Sequence, residues 1–350
     1  MSDAAHSLRA TFEPPHPLTI GVEDELMLLD AETLDLAPRA REVVAALGGD
    51  PRFTLELPAA QVEIVLPPLA GATEAATELL RARRDLLAVC EPLGLRVAGA
   101  GVHPFAAELG ELNQGGRYDR IQAEHGDVAR RQLVFALQVH VCVRPADVAM
   151  RVYNDLRPWL PLVAALAANG SVYAGADTGL ASVRPMISEL LPRQGMPPAL
   201  TWESYAEALD ELGDPALWWW ELRPHPRHGT LEVRVPDTQA TVAEAAAVVA
   251  VVHSLVAALV AGDLAPERSD PHLDRVEAYR TGAVGPLAPR LAALLDALEP
   301  HAARLGAEAH LATAKAMAGA GGGAERVRAV FKDHGPRASV EHLADRFARD

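Results

Sequence analysis

The chain has 350 residues, 49% of them hydrophobic, which is ample for a large buried core. Its 47 acidic residues outnumber the 32 lysines and arginines, and the formal net charge is −15. Because this charge repels nucleic acid and anionic membranes, we predict neither as a partner and favour metal ions or metal-bound nucleotides. Two cysteines, Cys90 and Cys142, are too few for a disulfide framework, so we predict a reducing, cytoplasmic location.

The start of the chain mixes charges with prolines and lacks the apolar stretch of a secretion signal. We predict a flexible N-terminal lead-in over residues 1–17 and a single domain over residues 18–350 with a helical C-terminal part. Residues 169–198 are rich in glycine, proline and serine, which predicts loops over a site. The glycine-rich run that ends at Glu325 predicts a flexible hinge between C-terminal helices.

Alternation of apolar and polar residues, the period of a β-strand, recurs along the chain. It predicts strands at 18–30, 59–66, 95–100, 137–144 and 229–236, with a further extended piece at 53–57. Helical periodicity predicts helices at 73–92, 146–168, 203–212, 241–261, 287–305, 308–318 and 339–349. Since strands and helices mix without a strict βαβ repeat, we predict an α+β fold with a mainly antiparallel sheet.

Residues 245–262 form an 18-residue stretch without formal charge, which makes them a candidate for a membrane span. The stretch is rich in alanine, contains His253 and Ser254, and lies at the lower length limit for a span. We therefore predict a helix that is buried in a protein core, either within one subunit or between the subunits of a homo-oligomer.

Several predicted strands have one apolar face and one face with ionisable or amide side chains. In TIGVEDELMLLD, residues 19–30, Glu23 and Glu25 lie on the same face because side chains alternate along a strand. The same alternation groups polar side chains on other strands: Gln61 with Glu63, Gln138 with His140 and Cys142, and Glu232 with Arg234. We interpret this pattern as a sheet with helices behind it and a charged cleft in front.

A cleft lined by many glutamates cannot keep all of them ionised without cations. The glutamates concerned are Glu23, Glu25, Glu56, Glu63 and Glu232. Mg²⁺ prefers such oxygen ligands and commonly bridges carboxylates to nucleotide phosphates, and Arg234 could hold a phosphate oxygen with its guanidinium fork. Three ordinary explanations stay open: a solvated strand face for the glutamates, a core position for His140, and a surface ion pair between Glu232 and Arg234.

Six sequence blocks follow one another in a fixed order: GVEDEL, ELPAAQVEI, GAGVHPF, LQVHVCV, ADTGLASVRP and WELRPHPRHGTLEVRVPDT. In this order they resemble the carboxylate–amine ligases of the glutamate–cysteine ligase type 2 family, and the similarity extends from about residue 18 to about residue 345. The resemblance implies a glutamine synthetase-like catalytic domain, in which a curved, mainly antiparallel sheet binds ATP and two or three Mg²⁺ ions on its concave face and packs against helices on its convex face.

The chemistry implied by the resemblance is ATP-dependent amide formation between a small-molecule carboxylate and an amine through an acyl phosphate. Glutamate and cysteine are the default substrates. By the same resemblance Glu232 and Arg234 are catalytic, and Arg234 contacts the transferring phosphate. The implied metal ligands are Glu23, Glu25, Glu56, Glu63, His140 and Glu232.

Further residues have roles that the resemblance implies less directly. Arg184 and Arg223, together with Arg234, are expected to bind substrate or phosphate anions. For Arg223 an ion pair with a neighbour such as Glu221 is an equal alternative. For the three tryptophans at 218–220 we predict aromatic burial beneath the cleft.

Two segments depart from the family pattern. Gln138 stands where many members have a histidine, and an amide cannot take up a proton as an imidazole does. In DRVEAYRTGAVG, residues 274–285, Asp274 and Val276 stand where asparagine and tryptophan are common. These departures leave open a different amine acceptor or a catalytically silent, nucleotide-binding regulatory protein. A metal-dependent hydrolase of unrelated fold is a further alternative.

Overall fold

The structure is a computed structural model, and it describes residues 2–13, 18–213, 218–264 and 269–349. The strands are β1 Ile20–Asp30, β2 Phe53–Leu55, β3 Gln61–Val65, β4 Leu95–Ala98, β5 Leu137–Cys142, β6 Val172–Tyr173, β7 Ala176–Asp177, β8 Gln194–Gly195, β9 Trp219–Trp220, β10 Leu222–His225 and β11 Thr230–Val233. The helices are α1 Asp3–Ala10, α2 Ala40–Ala46, α3 Ala72–Cys90, α4 Arg117–His125, α5 Asp127–Arg130, α6 Ala146–Leu156, α7 Leu160–Ala167, α8 Arg184–Ser188, α9 Trp202–Leu212, α10 Val242–Ala261, α11 Pro271–Thr281, α12 Ala288–Ala297, α13 Glu299–Arg304, α14 Glu308–Ala320 and α15 Gly322–Ala348.

Within the described residues, the main sheet has the strand order β10-β11-β5-β1-β3-β2, and β4 pairs with the second half of β1. All of these strand pairs are antiparallel, which confirms the predicted α+β fold. The register places His140 opposite both Gly21 and Glu232 on its two neighbouring strands, and it places Glu25 opposite Glu63. Alternate side chains of four strands therefore meet on one face of the sheet.

Helices cover the other face of the sheet, which we call the back face. Apolar residues of β1 such as Val22 and Leu26 join α3 and α10 in one hydrophobic cluster. Helix α10 begins where the Thr241 hydroxyl accepts a hydrogen bond from the Glu244 N–H at 3.3 Å, and it ends at Gly262 with φ 76°. This helix is long and apolar enough to cross a membrane. However, 94% of its most apolar 18-residue stretch is buried inside the protein, as predicted.

Prolines divide two of the predicted helices. The prediction of one helix at 146–168 is wrong, because α6 ends before Pro158 and α7 begins beside Pro161. Each of these prolines lacks the N–H that a continuous helix requires. The predicted helix at 287–305 is likewise split into α12 and α13 near Pro300.

The glycine-rich run before Glu325 is mostly helical, whereas the sequence predicts a hinge there. Gly321, with φ 82°, is the junction between α14 and α15, and α15 kinks further along at Gly335 with φ 83°. A Cβ atom at Gly323 would lie 2.2 Å from the side-chain oxygen of Asn169, so the contact between α15 and Asn169 requires glycine at this position.

The N-terminal lead-in contains a helix that the sequence pattern did not indicate. Helix α1 begins where the Ser2 hydroxyl accepts a hydrogen bond from the Ala5 N–H at 3.2 Å. Phe12 then packs against Trp202 of α9, with the ring centroids 5.0 Å apart. Residues 3–12 are therefore attached to α9, while residues 14–17 of the predicted lead-in lie outside the described residues.

Candidate active site

Two glutamates and a histidine converge on the face of the sheet opposite the back face, which we call the front face. Glu23 of β1, His140 of β5 and Glu232 of β11 each place a potential ligand atom within 4.8 Å of the other two. Nε2 of His140 lies 3.3 Å from Oε1 of Glu23. The other ring nitrogen, Nδ1, lies 2.9 Å from the Thr230 hydroxyl, and this contact orients the imidazole toward the two carboxylates.

The charges around this trio keep both of its carboxylates ionised. Burial raises the pKa of Glu232, but Arg223, Arg234 and His140 together lower it well below its usual value. Burial also raises the pKa of Glu23, but the contact with His140 outweighs it and the pKa is lowered. Burial lowers the pKa of His140, whereas both glutamates raise it, and the net shift is upward. Both carboxylates therefore stay ionised, and His140 and the two arginines already lie against them.

A second acidic group lies on β1 and its other neighbour β3, with Glu25 opposite Glu63. Oε2 of Glu25 accepts a hydrogen bond from the Ala136 N–H at 2.6 Å, and Oε2 of Glu63 accepts one from the Thr54 hydroxyl at 2.9 Å. Burial and the charge of Glu56 raise the pKa of Glu25 to about 7. Burial and the surrounding glutamates raise the pKa of Glu63 well above its usual value. This group has more negative charge than its protein neighbours neutralise.

Glu56 reaches the cleft from outside the strands. It follows β2, its side chain is 24% exposed, and it forms an ion pair with Arg117 of α4. Glu25 and Glu56 both line the same two cavities. The predicted metal ligands therefore form two groups, with Glu23, His140 and Glu232 in one and Glu25, Glu56 and Glu63 in the other.

Gln138 connects the two groups. Its Nε2 donates a hydrogen bond to Oε1 of Glu25 at 2.8 Å, and its Oε1 accepts one from Arg234. Arg234 also donates to Glu232. An amide can serve both partners at once because it has a donor and an acceptor. Gln138, which the sequence marks only as a departure from a family pattern, thus positions Glu25 and Arg234.

The other two predicted arginines are held by carboxylates. Arg223 donates through Nε and Nη2 to the two oxygens of Glu232, so the ion pair that was the alternative for this residue is present, with Glu232 as the partner. Nε of Arg184 donates to Oδ1 of Asp237 at 2.7 Å. Asp237 is itself buried and also accepts a hydrogen bond from the Asn169 N–H at 2.7 Å.

Three connected cavities occupy the front face. The acidic cavity, 410 Å³, is lined by Glu23 of the first group and by Glu25, Glu56 and Glu63 of the second. It meets the apolar cavity, 490 Å³, whose walls include Leu66, Pro68 and Cys142, at Glu23, Val65 and His228. On the other side it meets the polar cavity, 100 Å³, at Glu25, Glu56, Leu57, Trp219 and Arg234.

The polar cavity contains residues to which the sequence assigned no role. Oε1 of Glu221 accepts hydrogen bonds from Nε of Arg275 at 2.6 Å and from the Tyr279 hydroxyl at 2.5 Å. Glu221 precedes β10 and Tyr279 lies on α11, and no local sequence pattern links two such distant residues. Among the tryptophans, Trp218 and Trp220 are buried as predicted, whereas the third, Trp219, lines the acidic and polar cavities.

The fold has counterparts among solved structures. A glutamate–cysteine ligase from Francisella tularensis, in complex with AMP, superposes with a TM-score of 0.72 and 12% sequence identity, covering 96% of this chain and 89% of that one. A bifunctional glutathione synthetase from Pasteurella multocida superposes with a TM-score of 0.71 and 13% identity; the match covers 98% of this chain and 54% of that longer one. The chain therefore has the same fold as these two proteins.

Sequence comparison identifies the family. The model of glutamate–cysteine ligase family 2 matches residues 19–336. A Rubrobacter xylanophilus protein named "Putative glutamate–cysteine ligase 2-3" is 35% identical over 362 residues, which covers 97% of this chain and 99% of that protein. A Mycolicibacterium smegmatis protein of the same name is 36% identical over 236 residues, 65% of this chain and 64% of that one. The chain therefore belongs to glutamate–cysteine ligase family 2, a family of carboxylate–amine ligases.

Proposed function

We propose that this protein is an ATP-dependent carboxylate–amine ligase that forms an amide bond through an acyl phosphate, with glutamate and cysteine as the default substrates. The observation that carries the proposal is the convergence of Glu23, His140 and Glu232 within 4.8 Å, at the junction of connected apolar and acidic cavities. Membership of the family supports it, since relatives carry the name glutamate–cysteine ligase.

The acidic and apolar cavities suit a nucleotide with divalent cations. The apolar cavity offers a surface on which a base can bind, and it opens into the acidic cavity beside Glu23. Carboxylate oxygens with one imidazole nitrogen suit Mg²⁺ or a similar cation. The raised pKa values of Glu25 and Glu63 are the sign of negative charge that lacks a counter-charge. Bound Mg²⁺ would neutralise phosphate charge, and the two ligand groups support at least two of the two or three ions.

Arg234 lies where the phosphoryl group would be transferred. It lines both the acidic and the polar cavity, and Gln138 and Glu232 hold its guanidinium in place. In the proposed reaction a carboxylate oxygen of the donor attacks the terminal phosphorus of ATP, and ADP leaves. The amine then attacks the acyl carbon, the C–O bond breaks, and inorganic phosphate leaves. The first step brings two anions together, so charge neutralisation and alignment supply most of the rate enhancement.

We also propose that residues 18–350 form one catalytic domain. One hydrophobic cluster contains residues from Ile20 in the first strand to Phe347 in the last helix, which supports a common core. Unfolding followed by calorimetry and by tryptophan fluorescence should then show a single transition at the same temperature. Two separate transitions would contradict this proposal.

The function is tested by measuring Mg²⁺-dependent ADP release with L-glutamate, alone and with a panel of amines that includes L-cysteine. We expect release that requires glutamate and increases with one amine, which identifies the acceptor. Hydroxylamine in place of the amine tests the intermediate, because it converts acyl phosphates to hydroxamates. A folded sample that releases no ADP with any combination would contradict the proposal and favour the silent, regulatory alternative.

A further inference from the structure

Residues 2–13 form a segment that we call the N-terminal strap. Its helix α1 packs against α9, and Arg9 forms an ion pair with both carboxylate oxygens of Asp147 in the first turn of α6, at 2.5 and 2.7 Å. Phe12 is fully buried and contacts the ring of Trp202 on α9. The strap is therefore attached to the helices at both its α1 end and its Phe12 end.

The end of the strap lies against the turn that joins β10 to β11. A Cβ atom on Gly229 of this turn would lie 2.0 Å from the carbonyl oxygen of Thr11, so the contact requires glycine. Gly229 also has φ 59°, a left-handed conformation that other residues rarely adopt. The strap and the turn are therefore in direct contact through their backbones.

Arg144 connects the strap, the turn and the apolar cavity. Its guanidinium carbon lies 5.6 Å from the centroid of the Phe12 ring, which is a cation–π contact. Its Nη1 donates hydrogen bonds to the carbonyls of Gly229 at 2.5 Å and of Val143 at 2.9 Å. Arg144 also lines the apolar cavity, as does His228 of the turn. A displacement of Phe12 therefore reaches the wall of this cavity through one side chain.

The same turn contacts the trio of predicted metal ligands. Thr230 follows Gly229 directly, and its hydroxyl lies 2.9 Å from Nδ1 of His140. Within the turn, the Gly229 N–H donates to the His225 carbonyl at 2.9 Å and the His228 N–H donates to Nδ1 of His225 at 3.2 Å. The turn thus has a defined shape, and its position determines where Thr230 and His228 stand in the wall of the apolar cavity.

We infer that the N-terminal strap positions the nucleotide side of the active site, with Phe12 as the positioning residue that acts through Arg144. This inference rests on the proposed function, which places the base of ATP in the apolar cavity. Phe12 does not occur among the described residues that line the three cavities. Its effect on nucleotide binding is therefore indirect, through Arg144 and the turn between β10 and β11.

The experiment measures binding of a non-hydrolysable ATP analogue with Mg²⁺ to the full-length protein by isothermal titration calorimetry. Phe12→Leu keeps an apolar side chain in the core but removes the ring, so the Kd should increase about tenfold. Arg144→Lys keeps the charge and loses the planar guanidinium, and it should weaken binding at least as much. The double variant should bind no more weakly than Arg144→Lys alone, because Phe12 acts through Arg144.

The matched control is Phe347→Leu. Phe347 is also fully buried, and its ring centroid lies 4.6 Å from the guanidinium carbon of Arg83, but neither residue lines any of the three cavities. This variant should keep the wild-type Kd. Wild-type affinity in Phe12→Leu or in Arg144→Lys would overturn the inference. An equal loss of affinity in Phe12→Leu and Phe347→Leu would also overturn it, because that result indicates general destabilisation.

A measurement without nucleotide separates this inference from the proposed function. The imidazole signals of His140 and His228 are followed by ¹⁵N NMR in the ligand-free, full-length protein, and Phe12→Leu should shift both signals while Phe347→Leu shifts neither. A wild type that binds no nucleotide, together with these shifts, would contradict the proposed nucleotide site and retain the role of the strap. Nucleotide binding that is equal in the wild type and Phe12→Leu would leave the ligase proposal intact and overturn the role of the strap.

Discussion

Glu23, Asp24 and Glu25 are consecutive in β1, yet they send carboxylates to opposite faces of the sheet. On the back face Asp24 is fully buried, and its Oδ2 accepts a hydrogen bond from Nη2 of Arg83 at 2.9 Å. On the front face burial and the charge of Glu56 raise the pKa of Glu25 to about 7, and Glu25 lines two cavities.

The carboxylates on both faces are buried. The two faces differ in whether a protein cation neutralises the carboxylate and in whether a cavity lies beside it. The guanidinium of Arg83 balances the Asp24 carboxylate within the protein and also donates to the Gln239 carbonyl at 3.0 Å. In the front cleft the carboxylates of Glu25 and Glu63 exceed the cations beside them, and cavities adjoin them. A buried carboxylate stabilises the fold when its partner is a side chain, and it serves ligand binding when its partner must come from solution.

The largest effect on stability is expected on the back face. Asp24→Asn removes the buried carboxylate that the Arg83 guanidinium contacts, and the free energy of unfolding should fall by about 3–5 kcal/mol. Urea unfolding followed by circular dichroism measures this change. ADP release per folded molecule should stay at the wild-type rate, because Asp24 does not line the acidic, apolar or polar cavity. A drop in turnover with the fold intact would contradict the separation of the two faces.

On the front face a substitution should lower turnover and leave stability intact. Glu25→Gln should lower Mg²⁺-dependent ADP release by about 100- to 1,000-fold, because an amide replaces a charge that a bound cation needs. The free energy of unfolding should not fall, since the substitution removes a like charge from the cleft. Glu91→Gln, the same substitution at an exposed position, is the matched control and should leave the rate unchanged. Wild-type turnover in Glu25→Gln would show that Glu25 has no role in the site.

The pH dependence of stability provides a third test, in chelator and without divalent cations. The pKa of Glu25 rises from its usual 4.5 to about 7 in the folded protein. The folded state thus binds a proton that the unfolded state has already released. The contribution of Glu25 to stability is therefore complete below about pH 4.5, and it should decrease by up to about 3 kcal/mol as the pH rises from 4.5 through 7. In Glu25→Gln this pH-dependent contribution to stability should be absent. If the free energy of unfolding depends on pH in the same way in the wild type and the variant, the raised pKa of Glu25 is refuted.

The smallest expected effect concerns Arg234. Arg234→Lys keeps the positive charge but loses the fork that contacts Gln138 and Glu232, so turnover should fall by more than about tenfold. The measurement is ADP release at saturating substrates, with Arg280→Lys, a change at a largely exposed arginine, as the control. An unchanged rate in Arg234→Lys would exclude a contact with the transferring phosphate.

The arrangement of the front face was predictable where it depends on strand periodicity. Glu23 and Glu25 share a face because the period of a strand is two residues, and the same rule placed His140 and Glu232 correctly. Pro158 and Pro161, which divide the helix predicted at 146–168, are also visible in the sequence, and a proline inside a helical pattern predicts such a break. Local rules therefore determine which residues face the cleft.

The partners of these residues were not predictable, because they depend on distant parts of the chain. Arg223 could pair with Glu221 by sequence proximity, but the register of β10 and β11 places it opposite Glu232. Glu221 instead meets Arg275 and Tyr279, more than 50 residues further along the chain. The tertiary fold, in which α11 packs on α7, brings these groups together.

Asp237 has a consequence for how the protein tolerates mutation. Its carboxylate binds both Arg184 and the Asn169 backbone, and a Cβ atom at Gly101 would lie 2.5 Å from its Cγ. Asn169 in turn is the residue that Gly323 of α15 approaches. A saturation mutagenesis screen for growth or turnover should thus find positions such as Gly101 and Gly323 as restrictive as the cleft itself, although neither lines any of the three cavities.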